Sequence, residues 1–194
     1  GKEVSSLWKG PRILNSLSGG SFYTYDGKTY FAPAFHNNEI LEITEDSLKL
    51  AYKWDFGKDN IDISKYTFTL TDDNQAEEGR LMTDYLGNGT IPYLLGSQYQ
   101  NSKYFYVCFS YGWFPNQTIK HLFYLKSDGK SFFFKDTQEN ISIRPQAFEE
   151  ECIVQFASYD DLEAYKSILS PAEYQKIISR NEEDNPCLIK LYFK

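Results

Sequence analysis

Two Asp-Gly pairs constrain this chain more than any other feature. Asp26-Gly27 and Asp128-Gly129 each separate two short runs rich in aromatic and β-branched residues. Both residues of such a pair tolerate positive φ, so the pair favours the tight turn that joins neighbouring antiparallel strands. Around the first pair, Ser21–Tyr25 and residues 28–35 read as the two arms of a hairpin. Asn37-Asn38 then turns the chain into a strand over 39–44, and Glu45-Asp46-Ser47 turns it into another over 48–56. In that last run Leu48, Leu50, Tyr52, Trp54 and Phe56 share one face, with Lys49, Ala51, Lys53 and Asp55 on the other. A period of two predicts a half-buried strand, and lysines on its polar face suit a sheet edge. The pattern resumes at 92–98, Tyr104–Tyr111, 119–126 and 131–135. Tyr104–Tyr111 is apolar on both faces, as expected where sheets stack face to face.

Aromatic residues make up 18% of the chain, with 16 Tyr and 15 Phe, and such side chains favour pleated, half-buried surfaces. The expected fold class is therefore all-β, built from antiparallel β-propeller-type blades, with a short helical hairpin inserted before the last strand. At 194 residues a single propeller-like domain is expected. It divides into an entry loop (1–20), a first blade (21–57), a long loop (58–90), a second blade (91–136) and a third blade with two helices (137–194). The long loop holds one short strand candidate at 66–70 and the acidic run 72–79. In the third blade, Ser158 can cap a helix carrying Leu162, Tyr165, Ile168 and Leu169. Ser170-Pro171-Ala172-Glu173 spells a capping box with Pro at the first helical position. Pro186 then opens a final strand in which Ile189, Leu191 and Phe193 share a face.

The formal net charge is −7 and the 20 Lys and Arg do not cluster, which argues against nucleic acid and anionic membrane surfaces as partners. No apolar run is long enough to cross a bilayer as a helix. The chain opens Gly1-Lys2-Glu3-Val4, so a targeting segment is expected to have been removed or to lie upstream. Cys108, Cys152 and Cys187 are too few for a disulfide framework and read as small apolar strand residues. A single Cys108–Cys152 bridge is open to them in an oxidising compartment. No zinc-ligand spacing occurs, and no cofactor is expected. Asp72, Asp73, Glu77 and Glu78 could approach a hard cation but lack an EF-hand spacing, so a solvated loop is the simpler reading.

Several segments resemble the bacterial six-bladed β-propeller lipoprotein family. Residues 30–43, reading Tyr30-Phe31-Ala32-Pro33-Ala34-Phe35-His36-Asn37-Asn38-Glu39-Ile40-Leu41-Glu42-Ile43, are similar to its aromatic strand and its "N-x-I-Y-x-I" strand. Tyr52-Lys53-Trp54-Asp55-Phe56-Gly57-Lys58 is similar to its "Y-x-x-D-F-G-K". The stretch from Glu182-Glu183-Asp184-Asn185-Pro186 to Lys194 is similar to its "E-D-D-N-P-V-L-x-L-x-K-L-K" ending. One segment departs: a "D-x-x-G-G-x-x-F-x-P" pattern is reduced to Asn140-Ile141-Ser142-Ile143-Arg144-Pro145-Gln146, its glycines lost. The resemblance implies the last half of such a propeller, about three blades, from a parent protein that is exported, lipid-anchored and located in the periplasm or at the outer-membrane surface. Three blades cannot close a ring. The expected partners for the open faces are a second copy, giving a homodimer, or a missing N-terminal half; a monomer wrapped by its own insertions is the third arrangement.

No catalytic motif is legible. His36 and His121 have no nucleophile elbow beside them, and Glu149-Glu150-Glu151 reads as a charged turn. The candidate ligand site is the run containing Tyr111, Trp113, Phe114 and Asn116, where aromatic faces beside an amide suit sugar rings. The expected function is a non-catalytic ligand-binding or protein-interaction module, taking a glycan or a peptide. The alternative is a glycan hydrolase or lyase on a propeller scaffold.

Overall fold

The computed structural model describes residues 21–32, 38–60, 92–112, 115–181 and 183–193. The entry loop, the strand candidate at 66–70, the acidic run 72–79, His36, Trp113 and Phe114 lie outside the described residues. The described chain is β-rich and antiparallel, as expected. Strands β1 (Ser21–Tyr25), β2 (Lys28–Ala32), β3 (Glu39–Ile43) and β4 (Leu48–Lys53) form one four-stranded sheet in sequence order. Strands β5 (Pro92–Gln100), β6 (Tyr104–Tyr111), β7 (Thr118–Leu125) and β8 (Lys130–Phe134) form a second. The third has three strands, β9 (Ala147–Phe148), β10 (Cys152–Ala157) and β11 (Cys187–Tyr192), with β10 in the middle. A simple up-and-down meander is what short connections between alternating segments produce. The chain separates into two compact units, residues 1–98 with 107–120, and residues 99–106 with 121–194.

The first sheet shows how local sequence sets local geometry. Asp26 and Gly27 both adopt positive φ (49° and 70°), so the turn is the expected one, and Tyr25 pairs with Lys28 across it. Tyr30, Ala32 and Ile40 are buried on one face. Tyr23 stacks on Tyr30 at 5.2 Å, and burial helped by Tyr52 pushes the Tyr30 hydroxyl pKa up to about 12. β4 is an edge strand, but its alternation breaks. Leu41 pairs with Leu50 while the preceding Ile40 pairs with Tyr52, leaving Ala51 as the extra residue of a bulge. Leu50 and Tyr52, expected on one face, therefore fall on opposite faces. Tyr52 approaches Tyr30 at 5.7 Å, and Leu50 is left exposed at 58%.

The residues that carry the family resemblance hold this sheet together. Asn38 donates to the Trp54 carbonyl (2.6 Å) and to Asn60 Oδ1 (3.2 Å). Asn60 Oδ1 accepts from Phe56 N (2.9 Å), and Asp55 Oδ1 accepts from Gly57 N (2.8 Å) and Asn60 Nδ2 (2.6 Å). Gly57 sits at φ 60°, a conformation that side-chain-bearing residues rarely adopt. The Asp-Phe-Gly-Lys segment is thus a hydrogen-bonded corner, and it stops β4. These groups bond to one another and so read as architecture.

β6 is buried on both faces, as expected. Phe105, Tyr106, Val107, Phe109 and Ser110 are all under 6% exposed. The second Asp-Gly pair also closes a hairpin, but by a longer turn. Only Gly129 takes positive φ (70°), and its N–H bonds back to Leu125 (3.0 Å), so four residues separate β7 from β8. In the unit containing residues 121–194, Phe148 stacks on Tyr99 (6.2 Å) and on Tyr106 (5.8 Å), and Phe193 lies 4.5 Å from Tyr104. This cluster is one place where the high Tyr and Phe content is used.

The third sheet pairs the end of the chain with β10, as expected. The register runs from Cys152↔Tyr192 to Ala157↔Cys187. Ile189 is buried, while Leu188 and Tyr192 are exposed, which is the predicted alternation. The segment after Ser158 is a 3₁₀ helix (Tyr159–Ser167), tighter than the expected α-helix. Residues three apart eclipse in such a helix, so Leu162 and Tyr165 both reach the core; Ile168 lies past its last residue and stays 40% exposed. The α-helix α1 (Pro171–Ile178) begins as its sequence dictates. Ser170 N and Oγ donate to Glu173 (3.0 and 2.6 Å), and Ser170 Oγ accepts from Glu173 N. Ser170→Ala is expected to cost about 0.5–2 kcal/mol in urea unfolding. A change of zero would show that the cap contributes nothing. The three cysteines lie in strands and none forms a disulfide, a Cys108–Cys152 bridge included.

Candidate functional site

The structure describes two of the four residues proposed from sequence. Tyr111 ends β6 and is half-buried, and Gly112 follows at φ 71°. Lys120 Nζ lies 4.4 Å from the centre of the Tyr111 ring, so one ring face is covered by a cation. Burial first, and Asp59 second, hold the Tyr111 hydroxyl above its ordinary pKa. Asn116 is exposed. Trp113 and Phe114 lie outside the described residues, so their relation to Tyr111 is not defined.

A second feature, which sequence reasoning missed, is a notch of about 150 Å³ beside the third sheet. It is bounded by Asn140, Ile141, Ser142, Arg144, Gln155, Phe156 and the 3₁₀ helix residues Asp160, Asp161, Ala164 and Tyr165. Its origin is local. β9 pairs with β10 only at Ala147 and Phe148, and Gln146 N still bonds to Val154 O (2.8 Å). Beyond that point the edge segment leaves the ladder. The Gln155 side chain takes over the missing bonds: its Oε1 accepts from Arg144 N (3.0 Å) and its Nε2 donates to Ser142 O (3.0 Å). Nε2 also donates to the Tyr165 hydroxyl (2.6 Å). A side-chain bridge is wider than a direct backbone pair, and the gap is the notch. Asn140, at φ 58°, begins the detour, a backbone conformation that Asn tolerates better than most residues.

The lining mixes donors, acceptors and two aromatic rings. Gln155 and Tyr165 are 1% and 2% exposed, whereas Phe156 is 54% exposed. The Tyr165 hydroxyl accepts from Gln155, and its own proton meets no acceptor among the described residues. Burial keeps that hydroxyl protonated, and the Asp161 charge acts in the same direction. Asp161 itself accepts from Ser158 N (3.1 Å) and Ser158 Oγ (2.7 Å). Arg144 and Asp160 are exposed and make no side-chain ion pair among the described residues. A sequence signal did exist: residues 140–146 are where the chain departs from the family pattern it otherwise resembles.

The run Glu149–Glu151 and His121 have structural partners. Glu149 pairs with Lys190 (2.8 Å), Glu151 with Lys103 (2.9 Å), and Glu150 accepts from Ser102 N (3.2 Å), so the three glutamates form a charged turn. Among the described residues no cluster of three or more His, Cys, Asp or Glu could hold a metal ion. His121 is 4% exposed, with Nδ1 3.0 Å from the Tyr106 hydroxyl. Burial lowers its pKa, opposed by Asp136, so the neutral form is the folded one. The unfolded chain therefore binds more protons, and stability is complete above the unfolded value of about 6.5 and falls as pH drops toward the folded value. Urea midpoints at pH 7 and pH 5 are expected to show this loss, reduced in His121→Gln. Equal losses in both proteins would exclude His121 as the cause.

A family model described as a 6-bladed beta-propeller matches residues 10–156. Comparison with curated proteins and with solved structures returned no match. The matched span covers more than half of the chain, includes the Asp-Gly hairpins and the Asp-Phe-Gly-Lys corner, and ends within β10. With its antiparallel sheets in up-and-down order, the chain belongs to a 6-bladed β-propeller family.

Proposed function

We propose that the chain is a non-catalytic binding module of an exported bacterial lipoprotein, and that its ligand, a glycan or peptide, seats in the notch beside β10. One observation carries this reading: Tyr165, 2% exposed, lines the notch, and its hydroxyl accepts from Gln155 while its own proton meets no acceptor among the described residues. A buried polar group without a partner is costly, and a ligand acceptor or a water relieves that cost. Convergent polar groups around a concavity are the usual form of a ligand site. The other polar surface, Tyr111 with Asn116, is a second place for the same ligand chemistry.

A glycan and peptide array, run with a reducing-end release assay on the same sample, tests this reading. Retention of a ligand without turnover, with amide shifts confined to residues 140–165, is the expected result. Release of new reducing ends would replace it with the hydrolase reading, and unsaturated products with the lyase reading. Self-association of the module into a closed ring is part of the same proposal. Exposed large apolar side chains, Phe22 in the first sheet and Phe132 and Phe133 in the second, are what supports it. Light scattering at micromolar concentration is expected to show a dimer, and a clean monomer mass would remove that element.

A further inference from the structure

Resting on the notch as the binding site, we infer that it selects a single neutral, hydroxyl-rich sugar ring, with Phe156 against the ring face and Arg144, Asp160 and Tyr165 addressing its hydroxyls. Size comes first. At about 150 Å³ the notch is well below the roughly 300–1,000 Å³ of pockets for drug-sized ligands, so it takes one ring or a chain end.

Chemistry comes second. Arg144 presents only donors and Asp160 only acceptors, while the Tyr165 hydroxyl has a proton to donate. A sugar hydroxyl both donates and accepts, so neighbouring hydroxyls can satisfy all three groups. Phe156 offers an exposed apolar wall for the C–H face of the ring.

Charge comes third. One arginine is set against two aspartates, Asp160 and Asp161, so a ligand carboxylate would approach more negative than positive charge. An acidic sugar is therefore disfavoured. Topology counts against an extended peptide. Peptides that bind by strand addition need an open strand edge, and here residues 142–144 with Gln155 occupy the edge of β10 that lines the notch.

The experiment is saturation-transfer NMR and titration with methyl glycosides of glucose, galactose, mannose and N-acetylglucosamine. Glucuronate and a glycine dipeptide serve as comparison probes. Phe156→Ala, Arg144→Ala and Asp160→Ala change exposed side chains, and melting curves confirm that each variant folds. At least one neutral glycoside is expected to bind wild-type protein and to lose tenfold or more in affinity in each variant. Glucuronate or the dipeptide binding better than every neutral glycoside, with the same loss in the variants, overturns the sugar inference and leaves the notch as the binding site. Absence of binding by every probe, or binding unchanged in all three variants, overturns both.

Discussion

Removing residues 187–194 is expected to abolish cooperative unfolding of the unit that contains the third sheet. β11 supplies every backbone partner on one side of β10, from Cys152 to Ala157. It also places Ile189 in the core with Ile141, Ala157, Leu162 and Tyr165, and packs Cys187 and Leu191 against that core. Losing one buried Ile typically costs about 2–5 kcal/mol, before any backbone bonds are counted. Whole domains are stable by only about 5–15 kcal/mol. The exposed edge of β10 would then invite pairing between chains. Truncated protein should aggregate on warming and bind a hydrophobic dye. If it keeps the full-length melting temperature and solubility, β11 is dispensable and the role assigned to it is wrong.

Gln155→Leu is expected to lower stability by about 2–4 kcal/mol. The substitution keeps most of the buried volume but strands Arg144 N, Ser142 O and the Tyr165 hydroxyl together. Each buried group left unpaired costs about 1–3 kcal/mol, and water entering from the notch recovers part of that. For a chain of this size each kcal/mol shifts the melting temperature by about 2–4 °C, so a fall of roughly 5–15 °C should be seen calorimetrically. The variant should also lose ligand retention, because residues 142–144 and Tyr165 no longer share an anchor. A melting temperature within a degree of wild type would show that Gln155 does not hold the edge segment.

Much of this fold is legible along the chain because its causes are local. Asp26-Gly27 requires a turn of one hand, Ser170-Pro171-Ala172-Glu173 caps a helix with its own atoms, and the alternation of Ile189, Leu191 and Phe193 chooses the buried face of β11. The two-faced apolar run of β6 announces its burial. Where the reading along the chain failed, the cause lies in another segment. Ala51 bulges because β3 pairs with Leu50 and Tyr52 in a shifted register, and nothing in 48–56 encodes that shift. The helix after Ser158 tightens to bring Leu162 and Tyr165 onto the same core.

The candidate site follows the same division. Tyr111 and Asn116 were legible as a polar-aromatic loop, but whether they form a platform depends on neighbours such as Lys120, nine residues away in sequence. Of the notch, only the departure from the family pattern at 140–146 was legible. Gln155 reads as an ordinary polar residue in a strand, and Tyr165 as a core aromatic ten residues later. Only when β10, the detour at 140–146 and the 3₁₀ helix converge does the amide of one become the bridge for the others.

Turns, caps and period-two burial act over a few residues, so the antiparallel meanders, the hairpin positions, the helix start at Pro171 and the family can be read along the chain. The bulge and the notch arise only in the folded chain, because each depends on which distant backbone groups meet and which are left to find a side chain.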